Sequence, residues 1–113
     1  MKVTYLTATI ANAGTVSSAI DVGGVSEDGC GIVAIYLPAS FEGTALTFQG
    51  SYNGSTFKEV ITTAGTALTY TVAADKWLTL PVADLAGFHQ VKIVSGTAMG
   101  AERTLRVAIR KVA

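Results

Sequence analysis

The stretch 45-ALTFQGSYNGSTFKEV-60 decides the fold. Leu46, Phe48 and Tyr52 fall on one side of an extended chain, with Gly50 in the same row, while Thr47, Gln49, Ser51 and Asn53 fall on the other. A period of two is the signature of a strand with one buried face. Asn53-Gly54 can supply the positive φ angles of a tight reversal, so Phe57 to Ile61 is expected to return beside the first strand.

Working outward, the same alternation recurs to both ends of the 113 residues. Val3 to Ile10 reads as a first strand, 11-ANAGT-15 as a turn and Val16 to Val22 as a second strand. Gly23-Gly24 and 27-EDG-29 mark a loop before 30-CGIVAIYL-37, a strand apolar on both faces that Pro38 ends. Such a strand belongs in the middle of a sandwich or against a neighbouring chain. Thr62 to Gly65 is a further turn, and Leu68, Tyr70 and Val72 form the inward row of the strand after it. The short run 76-KWLTLP-81 precedes 82-VADLAGF-88, where one helical turn is expected over 82–87 with Gly87 as its C-terminal cap. His89, Val91 and Ile93 then form an inward row, and the last strand sets Leu105, Val107 and Ile109 inward against Arg106, Ala108 and Arg110 outward. Eight or nine short strands with turn signals between them predict an all-β fold of one domain over 1–113, an antiparallel two-sheet sandwich. A jelly roll fits best, because eight strands make two four-stranded sheets and the connections near 23–29 and 95–102 suit crossovers. An immunoglobulin-like sandwich is the next choice.

Composition narrows the function. Half the residues are apolar and only 14% are charged, against about 25% in ordinary domains. Eight cationic and eight acidic side chains balance, which gives no support for binding nucleic acid or an anionic membrane. So apolar a chain is expected to turn part of its surface to a partner. Cys30 is the only cysteine, so no intrachain disulfide can form, and it reads as a small buried hydrophobe. The opening 1-MKVTYLTATIANAG-14 lacks the apolar run of a signal peptide, and synthesis in the cytoplasm is expected.

Reactive chemistry finds little to stand on. His89 is the sole histidine, and in an inward row it reads as a core residue rather than a general base. One Cys and one His cannot make a zinc site. Glu27-Asp28 lack the spaced acid ladder of a calcium loop and the separation of glycosidase carboxylates. Gly23-Gly24 lacks the lysine and the helix of a phosphate cradle. The expectation is a protein without enzymatic activity, cofactor or metal.

Two surface features remain. Residues after 88 hold Lys92, Arg103, Arg106, Arg110 and Lys111 against the single acid Glu102, whereas the earlier chain is acidic. Arg103, Arg106, Arg110 and Lys111 are either ordinary outward charges of a last strand or a basic stripe that orients docking on an acidic surface. Trp77 alternates with Leu78 and is expected to face outward, where it would anchor an interface, stack on a sugar or cover a sheet edge.

The segments 7-TATIANAGTVSSAIDVGG-24, 32-IVAIYLPASFEGTALTFQGSYNGSTFKEV-60 and 80-LPVADLAGFHQVKIVSGTA-98 resemble small virion structural proteins of tailed bacteriophages. The resemblance lies in the Leu-Thr-Phe-Gln strand with its Asn-Gly turn and following Phe, and in the Gly-Phe-His-Gln-Val-Lys strand after 84-DLAG-87. The chain differs from that family in a longer charged loop, 25-VSEDGC-30. The resemblance implies a capsid decoration or cement protein with a jelly-roll body. It would assemble with itself as a homotrimer or homodimer and bind the major capsid protein on the outer head surface of the virion. No residue role transfers with it. The alternative is a carbohydrate-binding jelly roll of a tail tip or fibre, with Trp77 and a tyrosine as stacking platform.

Overall fold

The computed structural model of the chain describes residues 3–22 and 30–111, the side chains of Cys30 and Lys111 excepted. The Gly23-Gly24 turn, the Glu27-Asp28 loop and the burial of Cys30 lie outside the described residues. Nine strands follow in chain order: β1 (Val3–Ile10), β2 (Ile20–Asp21), β3 (Cys30–Leu37), β4 (Ala45–Ser51), β5 (Lys58–Glu59), β6 (Tyr70–Thr71), β7 (Lys76–Thr79), β8 (Gln90–Ser95) and β9 (Arg103–Lys111). One sheet has the order β1-β9-β3-β7 and the other β2-β8-β4-β5, with β6 also on β4, and every pairing is antiparallel. β5 and β6 are two pieces of one edge strand, interrupted by a small hairpin that the Ile61–Ala67 bridge closes. Counted so, the chain changes sheet at every connection except that from β4 to β5, and the two antiparallel sheets pack as a sandwich.

Alternation explains which residues meet between the sheets. Ala8, Ile10, Leu105, Val107, Ile109, Ile35 and Leu37 from one sheet are buried with Leu46, Phe48, Val91, Ile93, Ile20 and Val22 from the other. β3 obeys the same rule through a device. Its register with β9 shifts between Ile32 and Ala34, so Val33 is an extra residue that resets the phase. Ile32 and Ile35, three positions apart, therefore both point inward and are fully buried. The apolar run of both parities is thus a bulged strand between β9 and β7.

Several local expectations are corrected. Val16 to Val22 pairs regularly only at Ile20–Asp21, with isolated bridges at Val16 and Ser17. Tyr52 leaves the inward row, because β4 ends at Ser51 and the Tyr52 ring is 84% exposed. The reversal at Asn53-Gly54 is wider than a two-residue hairpin, for β5 rejoins β4 by pairing Lys58 with Gly50. Only Gly54 has positive φ, while Ser51 Oγ accepts the N–H groups of Asn53 and Gly54, and Asn53 Oδ1 accepts those of Ser55 and Thr56. The helical turn is a single 3-10 turn, Val82–Asp84, and its C-cap is Leu85 rather than Gly87.

Candidate functional site

Site geometry begins with the register of the four-stranded sheet. Tyr5 lies opposite Ala108, Ala108 opposite Ala34, and Ala34 opposite Thr79. One step along, Thr7 lies opposite Arg106, Arg106 opposite Tyr36, and Tyr36 opposite Trp77. These rows form the outer face, since their neighbours Leu6, Val107, Ile35 and Leu78 pack on the core.

Two alanines in mid-sheet leave room above them, and large rings occupy it. The Tyr5 and Trp77 centroids are 6.3 Å apart and those of Tyr36 and Trp77 5.3 Å apart. β1 and β7 are separated by two strands, so at about 4.8 Å per strand their backbones are roughly 14 Å apart. The rings can meet only by leaning inward over Ala108 and Ala34. Accordingly Ala108, although in the outward row, is only 4% exposed. The cluster itself stays open to solvent, with Tyr5 57% and Trp77 51% exposed.

Tyr36 is fixed by donating its hydroxyl to Asp75 Oδ1 at 2.6 Å. That hydrogen bond, then desolvation and the Asp75 charge, raises its pKa above the usual tyrosine value. Asp75 holds a left-handed backbone, φ 58°, which aspartate tolerates better than most residues. Beside the cluster, Leu37, Val72, Lys76, Trp77 and Leu78 line an open hollow of about 360 Å³ between the β7 and β6 edges. The outer face of the second sheet differs. It carries Thr47, Gln49, Gln90 and Lys92, with the Lys92 ammonium 4.3 Å from the centre of the Phe57 ring.

The predicted residues divide. Trp77 faces outward as expected, and exposed Arg106 lies in the row between Thr7 and Tyr36. Arg110 is in the same outward row of β9, half-buried, opposite Val3. Arg103 does not join them. Its side chain belongs to the Leu105–Val107 row, and its guanidinium donates to Glu42 Oε1 at 2.7 Å. Glu42 also accepts the Gly100 N–H, which ties the β3–β4 loop to the β8–β9 loop. The Arg103 bond first, then the Gly100 bond, holds the Glu42 carboxyl below its ordinary pKa. Lys111 pairs through its backbone with Cys30, and its side chain lies outside the described residues.

His89 is exposed, which corrects its inward placement, because β8 starts one residue later. Its backbone does the work there: its N–H donates to Ser51 O at 2.9 Å and its C=O accepts Val22 N–H at 3.1 Å. The buried serines are committed to backbone groups. Ser17 Oγ donates to Ser18 O and accepts Ile93 N–H, while Ser95 Oγ donates to Thr97 O. Among the described residues no group of three or more His, Cys, Asp or Glu could hold a metal ion. Tyr5 and Tyr36 are the site residues that sequence reasoning missed. Tyr5 was legible as an odd position in 3-VTYLTATI-10, but the parity of Tyr36 depends on the bulge. Comparisons of the chain with protein-family models, with curated proteins and with solved structures found no match.

Proposed function

We propose that this chain is a non-enzymatic virion structural protein, a capsid decoration subunit that lays the outer face of its four-stranded sheet on the shell. The observation that carries the reading is the Tyr5–Tyr36–Trp77 cluster, half exposed and set beside Arg106. Tryptophan, tyrosine and arginine are the side chains that dominate binding energy at protein interfaces, and they do so at the centre of a patch. The rings cover Ala108, yet Tyr5 and Trp77 stay 57% and 51% exposed, which leaves an aromatic surface open to a partner. The resemblance of the strand and turn segments to phage virion proteins supplies the identity of the shell as partner. Many copies bound to an assembled shell would stabilise it by mass action.

Cosedimentation with purified heads that lack the protein tests this. Wild-type chain is expected to pellet with the heads. Trp77→Ala should weaken that binding by at least about 2 kcal/mol, some thirtyfold, as for a central aromatic anchor. Equal binding of both proteins would end the reading.

A glycan-binding module is the second reading, favoured by the same proximity of Trp77 to two tyrosines. The ring planes argue against it. They are inclined by 61° and 51°, so they do not form the flat platform on which a sugar stacks. A glycan array on wild type and Trp77→Ala separates the two readings.

A further inference from the structure

Among the described residues the two sheets have four edges, and three of them are blunted against pairing. β2 is two residues long and carries Asp21. β5 and β6 are two residues each, and β5 consists of Lys58 and Glu59. β7 has four residues and opens on Lys76. Short length and inward or edge charges are the ordinary protections of an exposed strand. β1 has none of them. It runs for eight residues as VTYLTATI, without charge, proline or glycine.

The hydrogen-bonding groups of β1 can be assigned one by one. Thr9 turns its N–H to Ser18 Oγ at 3.0 Å, and its C=O accepts Ser18 N–H at 2.9 Å, both on the side away from β9. In an antiparallel strand alternate residues point their backbone groups the same way. Thr7, Tyr5 and Val3 therefore present N–H and C=O to the open side, while Thr4, Leu6 and Ala8 bond to β9. Among the described residues β9 is the only strand that pairs with β1.

We propose that β1 pairs antiparallel with β1 of a second copy, about a two-fold axis normal to the sheet, to make a continuous sheet across a homodimer. This specifies the self-association expected of a decoration subunit, and it can fail without that reading failing. A second copy fits the edge because antiparallel pairing about a two-fold is self-complementary, each donor facing the matching acceptor. Centred on Tyr5, the pairing sets Tyr5 against Tyr5 and Val3 against Thr7 of the other copy. No like charges meet across the axis, since β1 has none. Val3 and Tyr5, 40% and 57% exposed, gain neighbours on a face where they now meet water. A two-fold normal to the sheet also keeps both aromatic clusters on the same side, so one dimer offers two of them to one shell.

The size of the contact sets its strength. A strand of eight residues spans about 26 Å, and a sheet is about 10 Å thick with its side chains. The contact therefore covers a few hundred Å² per copy, at the low end of interface sizes, below about 1,200 Å² in total. Such a dimer is reversible in solution and is reinforced when a shell holds copies side by side.

Sedimentation equilibrium of the full chain, from low micromolar to millimolar, is the test. Wild type is expected to pass from the 11.6 kDa monomer to the dimer. Thr7→Pro removes an N–H that points away from β9, so its ladder is spared; its dimerisation should weaken at least tenfold. Lys92→Ala, on the outer face of the other sheet, should dimerise as wild type does. Amide exchange supplies a local readout: Tyr5 and Thr7 should become slower as concentration rises, with Leu6 and Ala8 slow throughout. If circular dichroism shows that Thr7→Pro is unfolded, Thr7→Lys is compared instead, with the same weakening expected. A monomer at every concentration, a trimer, or dimers indifferent to folded Thr7 variants would overturn the proposal. A monomer that still binds heads would overturn only the pairing and leave the decoration reading intact.

Discussion

Tyr70 shows how one residue ties the layers together. It extends from β6 into the core, its ring 6.1 Å from that of Phe48, and its hydroxyl donates to Asp84 of the 3-10 turn that follows β7. Desolvation first, then the Asp84 hydrogen bond and charge, pushes its pKa up to about 12 from 10.0. A tyrosine is neutral when protonated, so the folded state keeps a proton that the unfolded chain releases near its ordinary value. Stability from this group is therefore complete below about pH 10 and lost as pH rises through about 12. Urea midpoints should fall across that window. Tyr70→Phe should reduce the fall, leaving the part due to Tyr36, whose pKa is raised in the same direction. At neutral pH Tyr70→Phe should cost about 1 kcal/mol for the lost hydrogen bond. An alkaline slope identical in both proteins would contradict the role given to Tyr70.

At the scale of elements, β3 carries the sharpest expectation. Without Val33, Ile32 opposite Ile109, Ala34 opposite Ala108 and Ile35 opposite Val107 alternate without a break, so deleting Val33 straightens the strand and keeps Ile32, Ile35 and Leu37 inward. Deleting Tyr36 instead makes Ile35 and Leu37 neighbours, and one of them must turn outward. Loss of one such buried side chain costs about 2–5 kcal/mol, a large part of the roughly 5–15 kcal/mol that holds a domain together. The Val33 deletion should therefore keep a cooperative urea transition, while the Tyr36 deletion should lower the midpoint drastically or abolish it. Similar losses in the two variants would contradict the bulge. The same strand marks where sequence reading stops. β4 from Leu46 to Gly50 and β9 from Leu105 to Ile109 were legible by strict alternation, but Ser51, expected to face outward, is buried at the end of β4. β3 was legible as a strand but not as a bulged one, since apolar residues of both parities fit a straight buried strand equally well. Tyr52 and His89 were misplaced because alternation does not say where a strand ends. Arg103 looked like its neighbours Arg106 and Arg110, and its partner Glu42 lies 61 positions away. The joining of Tyr5, Tyr36 and Trp77 required strand order, which alternation does not encode.

For the whole molecule, the two-sheet sandwich makes two unlike faces. The five-stranded sheet shows water polar residues and one cation over a phenyl ring, while the four-stranded sheet shows aromatic rings and arginine. The four-stranded face carries Val3, Tyr5 and Trp77, while Val16, Tyr52 and Ile61 are exposed elsewhere, and a partner on the Trp77 face is the physical reason offered for the ring cluster. The most direct test is the number and position of copies on purified phage particles, counted by quantitative mass spectrometry and placed by imaging. The expected result is many copies per particle, all on the head, with the Trp77 face of each against the shell. A handful of copies confined to the tail, or head-bound copies whose Trp77 face looks into solvent, would contradict it.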